Sequence, residues 1–250
     1  MEKEYRNQRF RQQYEHAMEA TSICLDVPKW VADEKLAALL ATPVASGPAA
    51  LGEFAARVLG RVSTEVLVHG NADAAQAAEI AAQLDAALPH APLPPAEYPE
   101  LRAVELAAAA YLRRQVSPNP EEVNSGVEVV YVAGVETARL LARLRLIAHL
   151  MRDQAFDTLR TKESLGYLVW TEIYRRGKDR VIVSFCVACG HGPSYLDSRI
   201  EAFLKTFREY MSALTEAEVE ENKTALRETL LEKDKNLSEE NQRYWREVRK

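Results

Sequence analysis

The chain has 250 residues, 47% of them hydrophobic, and a formal net charge of −5. This amount of apolar material is enough for one large domain or for one and a half smaller ones. The mildly acidic balance argues against a nucleic-acid partner, which usually requires a basic face. No apolar run approaches the ~20 residues that cross a bilayer, so we expect no membrane partner either.

The first 90 residues are predicted to be mostly helical. Apolar spacing and the turn clusters between segments place helices at residues 2–19, 32–40 and 51–59. The composition of residues 63–69 predicts a buried strand, and Asp73 is placed to cap an Ala-rich helix that ends near Leu88. Four prolines within residues 89–95 cannot continue a helix and favour an extended path. We therefore predict a linker at residues 91–100.

Residues 101–250 are predicted to form most of a second domain. Strands are expected near 102–106, 109–115 and 127–133, followed by a long amphipathic helix over 136–160. Strands at 167–174 and 180–190 flank a charged turn typical of a hairpin. Helical spacing then predicts a helix over 196–214, and Thr215 with Glu218 forms a capping-box signal for another. This order predicts an α+β fold, with a mainly antiparallel sheet and helices packed on one face.

The most informative stretch is the helix-to-strand corner Arg160-Thr-Lys-Glu-Ser-Leu-Gly-Tyr167. Residues 156–169 resemble the matching stretch of the insulinase or pitrilysin-type zinc metallopeptidases, the inverzincins. Residues 65–71, 193–203 and 235–245 resemble that family in the same order. In these proteases the matching segments belong to the C-terminal, non-zinc half, with an insulinase-like or processing-peptidase-like α+β domain. The resemblance implies a chain truncated at both ends: residues 1–90 end one family domain, and the last domain lacks its end.

The resemblance also implies roles for Arg160 and Tyr167. In the family, the matching Arg and Tyr bond the substrate backbone across a closed chamber, and the Tyr can support the developing oxyanion. From the residues alone, an alternative stays open. Arg160 would neutralise a helix C-terminus and Tyr167 would pack on a strand. Lys162 and Glu163 are predicted to be surface residues or a local ion pair.

Two further groups of side chains leave alternatives open. Arg175, Arg176 and Lys178 form a basic hairpin tip, either solvated turn charge or a device that steers acidic peptides. Cys186 and Cys189 resemble a metal or redox pair, but residues three apart on a strand point to opposite faces. We therefore expect structural thiols. The odd number of cysteines fits a reducing, cytoplasmic compartment.

The family's zinc motif is H-x-x-E-H on a helix. No two histidines of this chain lie within five residues of each other, and the five are His16, His69, His90, His149 and His191. We therefore expect no metal and no catalytic residue of its own in this chain. The parent enzyme would bind zinc through its N-terminal half.

The sequence thus predicts a C-terminal fragment of a zinc metalloendopeptidase, inactive alone. Its expected partners are the N-terminal catalytic half, peptide substrates and further copies of itself. The alternative is a non-catalytic relative that acts as an assembly or peptide-binding module.

Overall fold

A computed structural model describes residues 1–42, 47–88, 91–100, 102–166, 168–177 and 180–248. In chain order, the helices and strands are α1 Glu2–Asn7, a 3₁₀ helix Gln8–Phe10, α2 Gln13–Leu25, β1 Asp26–Val27, α3 Ala32–Ala41, α4 Gly47–Leu59, β2 Arg61–Val62, α5 Ala74–Ala87, β3 Ala91–Pro92, a 3₁₀ helix Pro95–Glu97, β4 Arg102–Ala103, β5 Ser125–Val135, α6 Ala138–Ala155, a π-helix Phe156–Lys162, β6 Leu168–Arg176, β7 Arg180–Cys189, α7 Pro193–Ala213, α8 Glu216–Leu231 and α9 Leu237–Val248. Within these described ranges, no helix is long and apolar enough to cross a membrane.

Contacts divide the chain into two compact units. The first combines residues 1–36 with 101–231, and the second combines 37–100 with 232–250. The predicted linker at 91–100 falls at the end of a segment of the second unit. Each unit is thus assembled from segments far apart in the sequence.

The first unit is built on an antiparallel three-stranded sheet in the order β5-β7-β6. Side chains of β7 alternate between the two faces of the sheet. Phe185 and Val187 point into an apolar core with helices α6 and α7, whose buried members are Met151, Ala155, Leu159, Leu165, Val169, Leu196, Ile200, Phe203 and Phe207. The α7 members recur at helical spacing, as the sequence predicted. The predicted α+β class with an antiparallel sheet is confirmed.

Helix α2 covers the opposite face of this sheet, a contact that the sequence did not predict. The Tyr14 ring meets the Trp170 ring edge-on, with centroids 5.1 Å apart. Trp170 lies opposite Cys186 in the strand register, so both side chains are on the face away from Phe185. At the start of β5, a Cβ on Gly126 would lie 2.6 Å from the Gln13 carbonyl. Helix α2 therefore approaches the strand backbone closely.

Two predicted strands are wrong. Residues 63–69 form no strand, and the local pairing is limited to β2 with β3 at two positions. Residues 109–115 also form no strand, and Tyr111 and Leu112 in that segment are exposed. In both segments the β-forming composition is not matched by a neighbouring strand, and a strand is stable only when its backbone groups are paired.

The second unit contains α4, α5, α9 and the β2-β3 pair. None of its described side chains is buried. Asp73 caps α5 as predicted, since its side chain accepts a hydrogen bond from the Gln76 N–H at 2.9 Å. His69 Nε2 lies 3.2 Å from a carboxylate oxygen of Glu240, which joins the 37–100 segment to α9. The His69 ring also meets the Tyr244 ring of α9, with centroids 5.5 Å apart.

Candidate functional site

The predicted corner begins where α6 widens into a π-helix. Its backbone hydrogen bonds join residues five apart, one more than in an α-helix. The Glu163 N–H, for example, donates to the Thr158 carbonyl at 3.0 Å. The Leu165 N–H then donates to the Leu159 carbonyl at 2.9 Å. Both leucine side chains are fully buried in the apolar core. Such single widened turns are frequent at functional sites, and this one carries Arg160.

Arg160 lies in the last turn of the π-helix and is half-buried. Its guanidinium carbon is 4.6 Å from the centroid of the Phe156 ring, within the distance of a cation–π contact. The Phe156 ring is itself exposed. Because Arg160 lies at a helix C-terminus, its charge also fits the alternative role of neutralising that helix end. The role of Arg160 in binding substrate stays a prediction.

Tyr167 lies outside the described residues, and its predicted role is untested. The residue before it, Gly166, has a φ of +156°. A Cβ at this position would lie 2.3 Å from the Ala188 carbonyl oxygen of β7 and 2.8 Å from the Cys189 Cβ. Real Cβ atoms do not approach a backbone oxygen so closely, so only glycine fits between the corner and the sheet.

The charged residues of the corner divide into a local pair and a long-range pair. Lys162 Nζ lies 2.7 Å from Asp157 Oδ2, a local ion pair of the predicted kind. Glu163 instead accepts two hydrogen bonds from Arg199 of α7, each at 2.6 Å. The prediction that Glu163 is a surface residue or part of a local pair is wrong. The two partners are 36 positions apart, and no local pattern indicates such a pairing.

The hairpin tip is only partly a turn. Arg175 is ion-paired with Glu136. Arg176 ends β6, and its Nη1 donates to Ser22 Oγ and Asp26 Oδ2, each at 2.7 Å. With 14% of its side chain exposed, Arg176 is neither a solvated turn charge nor available to steer peptides. The prediction that Arg176 belongs to a basic hairpin tip is wrong. Strand β6 extends as far as Arg176 and directs its side chain toward α2. Lys178 lies outside the described residues.

A buried polar network lies on the sheet face that α2 covers. Glu128 Oε1 accepts hydrogen bonds from Tyr174 Oη at 3.0 Å and from Ser184 Oγ at 2.8 Å. Arg176 Nη2 in turn donates to Tyr174 Oη at 3.2 Å. Burial raises the pKa of the Tyr174 phenol to about 12. No sequence signal indicated this network, because its members come from three strands and alternate with apolar residues.

An open cleft of about 520 Å³ adjoins this network. Its walls combine basic, acidic and aromatic side chains, including Arg11, Glu19, Trp30, Glu172, Tyr174 and Arg176. Arg11 and Glu19 form an ion pair across 3.9 Å. The cleft is therefore of mixed charge and only partly apolar, unlike the predominantly apolar pockets that usually hold small molecules.

The two strand cysteines point to opposite faces, as predicted from their spacing. Cys186 faces Glu128 across the register, whereas Cys189 packs against the apolar core on the other side. Burial, with a smaller effect of the Glu128 charge, raises the pKa of the Cys186 thiol to about 12. Within the described part of the chain, no three histidine, cysteine or acidic side chains are grouped to hold a metal. In the described ranges, the side chains therefore do not fit a zinc ion.

Known proteins resemble this chain along nearly its whole length. A family model described as "PQQ synthase PqqF-like, C-terminal lobe domain 4" matches residues 146–245. Insulin-degrading enzyme of Homo sapiens is 31% identical over 246 residues, which cover 97% of this chain and 24% of that protein. The chain belongs to the insulinase family of zinc metallopeptidases. Insulin-degrading enzyme-like 1, peroxisomal, of Arabidopsis thaliana is 29% identical over 255 residues, with 98% of this chain and 26% of that protein covered.

A solved structure supports the fold of this insulinase-family chain. The crystal structure of pitrilysin superimposes with a TM-score of 0.75 and 18% identity, over 98% of this chain and 25% of that one. At this identity the likeness concerns the fold alone. The chain spans about a quarter of the length of the human and Arabidopsis relatives. Membership of the family therefore does not by itself establish the activity of a whole protein.

Proposed function

We propose that this chain is the C-terminal, non-zinc part of a zinc metalloendopeptidase that degrades peptides inside a closed chamber. It would supply part of the chamber wall and two substrate-binding side chains, Arg160 and Tyr167. The main support for the proposal is the geometry of the helix-to-strand corner. Arg160 is presented on a π-helix whose two neighbouring leucines are fixed in the core, in a chain of the insulinase family.

Arg160 has the chemistry to bind a peptide backbone. Its guanidinium is permanently charged and offers planar donors that can bond a carbonyl oxygen. The Tyr167 hydroxyl can donate to an oxygen on which negative charge develops, and such a donor acts mainly in the transition state. Because the described residues include no group of three possible metal ligands, no step through a metal is assigned to this chain. The zinc site and the catalytic base would belong to the N-terminal half.

The proposal is tested by steady-state kinetics of the complete enzyme on a quenched peptide. Tyr167→Phe should lower kcat far more than it raises KM, by about 10²–10³-fold, since one oxyanion donor is lost. Arg160→Ala should change both parameters, because a guanidinium on the substrate backbone also stabilises the ground state. Circular dichroism serves as the folding control. Wild-type kinetics for both folded variants would leave these residues with packing roles and contradict the proposal.

The alternative is a non-catalytic relative that acts as an assembly or peptide-binding module. The gene upstream of Met1 discriminates between the two, because H-x-x-E-H there favours the protease and its absence favours the module. We also propose a reducing, cytoplasmic compartment, supported by the odd number of cysteines. One relative is by its name peroxisomal, so cell fractionation is the deciding measurement.

A further inference from the structure

The Arg199–Glu163 pair joins the corner to α7 through two parallel hydrogen bonds. Arg199 Nε donates to Glu163 Oε2 and Arg199 Nη2 to Glu163 Oε1, each at 2.6 Å. This bidentate geometry fixes direction as well as distance. The hydrogen bonds and charge of Glu163 raise the pKa of Arg199 further above its ordinary value. Since the side chains are 36% and 20% exposed, the pair contributes more to geometry than to overall stability.

The Arg199 end of this pair is a fixed point. Arg199 lies on α7 between Leu196 and Ile200, whose side chains are completely buried in the core. Helix α7 therefore cannot shift at this point without disturbing the packing of the whole unit. A group bonded to Arg199 takes its position from the core.

The Glu163 end lies at the exit of the π-helix that carries Arg160. The next residue, Ser164, has a φ of +51°, a left-handed conformation that non-glycine residues rarely adopt. Strained backbone of this kind persists only where its surroundings over-determine it. Leu165 on one side and the Arg199–Glu163 pair on the other hold this turn in place.

A second ion pair of the same turn has no such connection. Lys162 and Asp157 are 2.7 Å apart, both largely exposed, and both belong to the π-helix itself. Breaking that pair leaves the link between the corner and α7 intact. It is therefore a matched control for the effect of removing a charge from this turn.

We infer that Glu163 and Arg199 are positioning residues for Arg160. The pair sets the exit of the π-helix, and with it the direction in which the Arg160 guanidinium meets a bound peptide. The inference rests on the proposed function of Arg160. It adds that substrate binding depends on a side chain of α7 that does not itself touch the substrate.

The test measures kcat and KM of the complete enzyme on a quenched peptide for Glu163→Ala, Arg199→Ala, Asp157→Ala and Arg160→Ala. Glu163→Ala and Arg199→Ala should each lower kcat/KM about tenfold, less than the ~10²-fold of a 1 Å misplacement, because Leu159 and Leu165 still hold the turn. The loss should be divided between kcat and KM in the same proportion as for Arg160→Ala. A merely structural role would lower kcat through the folded fraction and leave KM unchanged. Asp157→Ala should match the wild type.

A double-mutant cycle decides whether the pair acts through Arg160. In the Arg160→Ala background, Glu163→Ala should cause no further loss, because residues that act as a unit are non-additive. Exchanging the charges in Glu163→Arg with Arg199→Glu should recover most of the activity. If the alanine variants do not fold, Glu163→Gln and Arg199→Lys should give smaller losses with the same division between kcat and KM.

The two ideas fail in different ways. Wild-type kinetics for Arg160→Ala would overturn the proposed function and this inference together. A clear loss for Arg160→Ala with wild-type kinetics for folded Glu163→Ala, or full additivity in the cycle, would overturn the inference alone.

Discussion

The role of a single side chain in this protein follows from the face of the sheet on which it lies. Arg175 and Arg176 are neighbours of the same type, yet one pairs with Glu136 and the other is enclosed by Ser22 and Asp26. Cys186 and Cys189 are separated in the same way. Alternation along a strand, which fixes the environment of each residue, matters more here than residue type.

Gly166 is the position with the least steric freedom at the corner. We predict that Gly166→Ala lowers the free energy of unfolding by about 1–3 kcal/mol, because its Cβ would collide with the Ala188 carbonyl and the backbone would have to move. Gly52→Ala is the matched control, since a Cβ there meets nothing within 4 Å. In the interior of α4 it should stabilise by about 0.5–1 kcal/mol. Urea unfolding measures both, and equal effects would contradict the close approach.

Stability should fall in alkaline solution. Burial raises the pKa of Cys186 from 9.0 to about 12 and that of Tyr174 from 10.0 to about 12. As pH rises through this window, the unfolded chain loses these protons first, so the folded state is progressively disfavoured. The stabilisation is fully present below about pH 9 and lost toward about pH 12.

The measurement is the free energy of unfolding in urea at about pH 8 and about pH 11. The decrease should be smaller in Tyr174→Phe, which has no phenol to titrate, although that variant is less stable at the lower pH. A decrease of the same size in both proteins would show that Tyr174 titrates normally.

Helix α2 contacts the sheet through the Tyr14–Trp170 ring pair and through the hydrogen bond from Arg176 to Ser22. Arg176→Met keeps the length of the side chain but leaves Asp26 and the Tyr174 hydroxyl without their donor. We expect a loss of about 1–3 kcal/mol in the free energy of unfolding, because buried polar groups become unsatisfied. Arg175→Met, at the neighbouring and more exposed ion pair, should cost less than about 1 kcal/mol. Equal losses would mean that Arg176 contributes only as a surface charge.

The long periodic pattern of α7 could be predicted from sequence, whereas the single helix predicted at 2–19 is divided into α1, a 3₁₀ helix and α2. Paired contacts between distant segments could not be predicted. The spacing of Leu196, Ile200, Phe203 and Phe207 defines α7, and the same residues form the core. Residues 63–69 have strand composition but no partner, and partners are not encoded locally. The Glu163–Arg199 pair could not be predicted for the same reason. Its members are brought together by the packing of α7, so neither position carries a periodic or spacing signal of its own.

For the chain as a whole, the expectation that it holds no metal site can be tested directly. We predict that the purified chain binds no stoichiometric zinc and cleaves no peptide, because its histidines are scattered and no ligand group exists within the described ranges. Elemental analysis and a quenched-peptide assay with and without chelator measure this. One tightly held zinc per chain, or chelator-sensitive cleavage, would contradict the prediction and the proposed division of labour between the two halves.

The second unit should drive self-association of the isolated chain. Helix α4 carries Leu51, Phe54 and Val58 on one face, with 66%, 52% and 47% of each residue exposed. Positions three and four apart lie together on a helix, so these side chains form a contiguous apolar stripe. Exposed apolar stripes of this kind usually mark a surface that another protein covers. We therefore expect oligomers of the purified chain whose population increases with concentration.

Sedimentation velocity across a wide concentration range tests this expectation. Phe54→Glu should shift the chain toward the monomer, because it places a charge in the middle of the stripe. Ala49→Glu adds the same charge on the opposite side of α4, near the helix N-terminus where a carboxylate is favourable, and should leave association unchanged. If both variants associate like the wild type, the contact is elsewhere. A monomer at every concentration would contradict the expectation. It would show that the stripe stays exposed to solvent and does not bind a second copy of the chain.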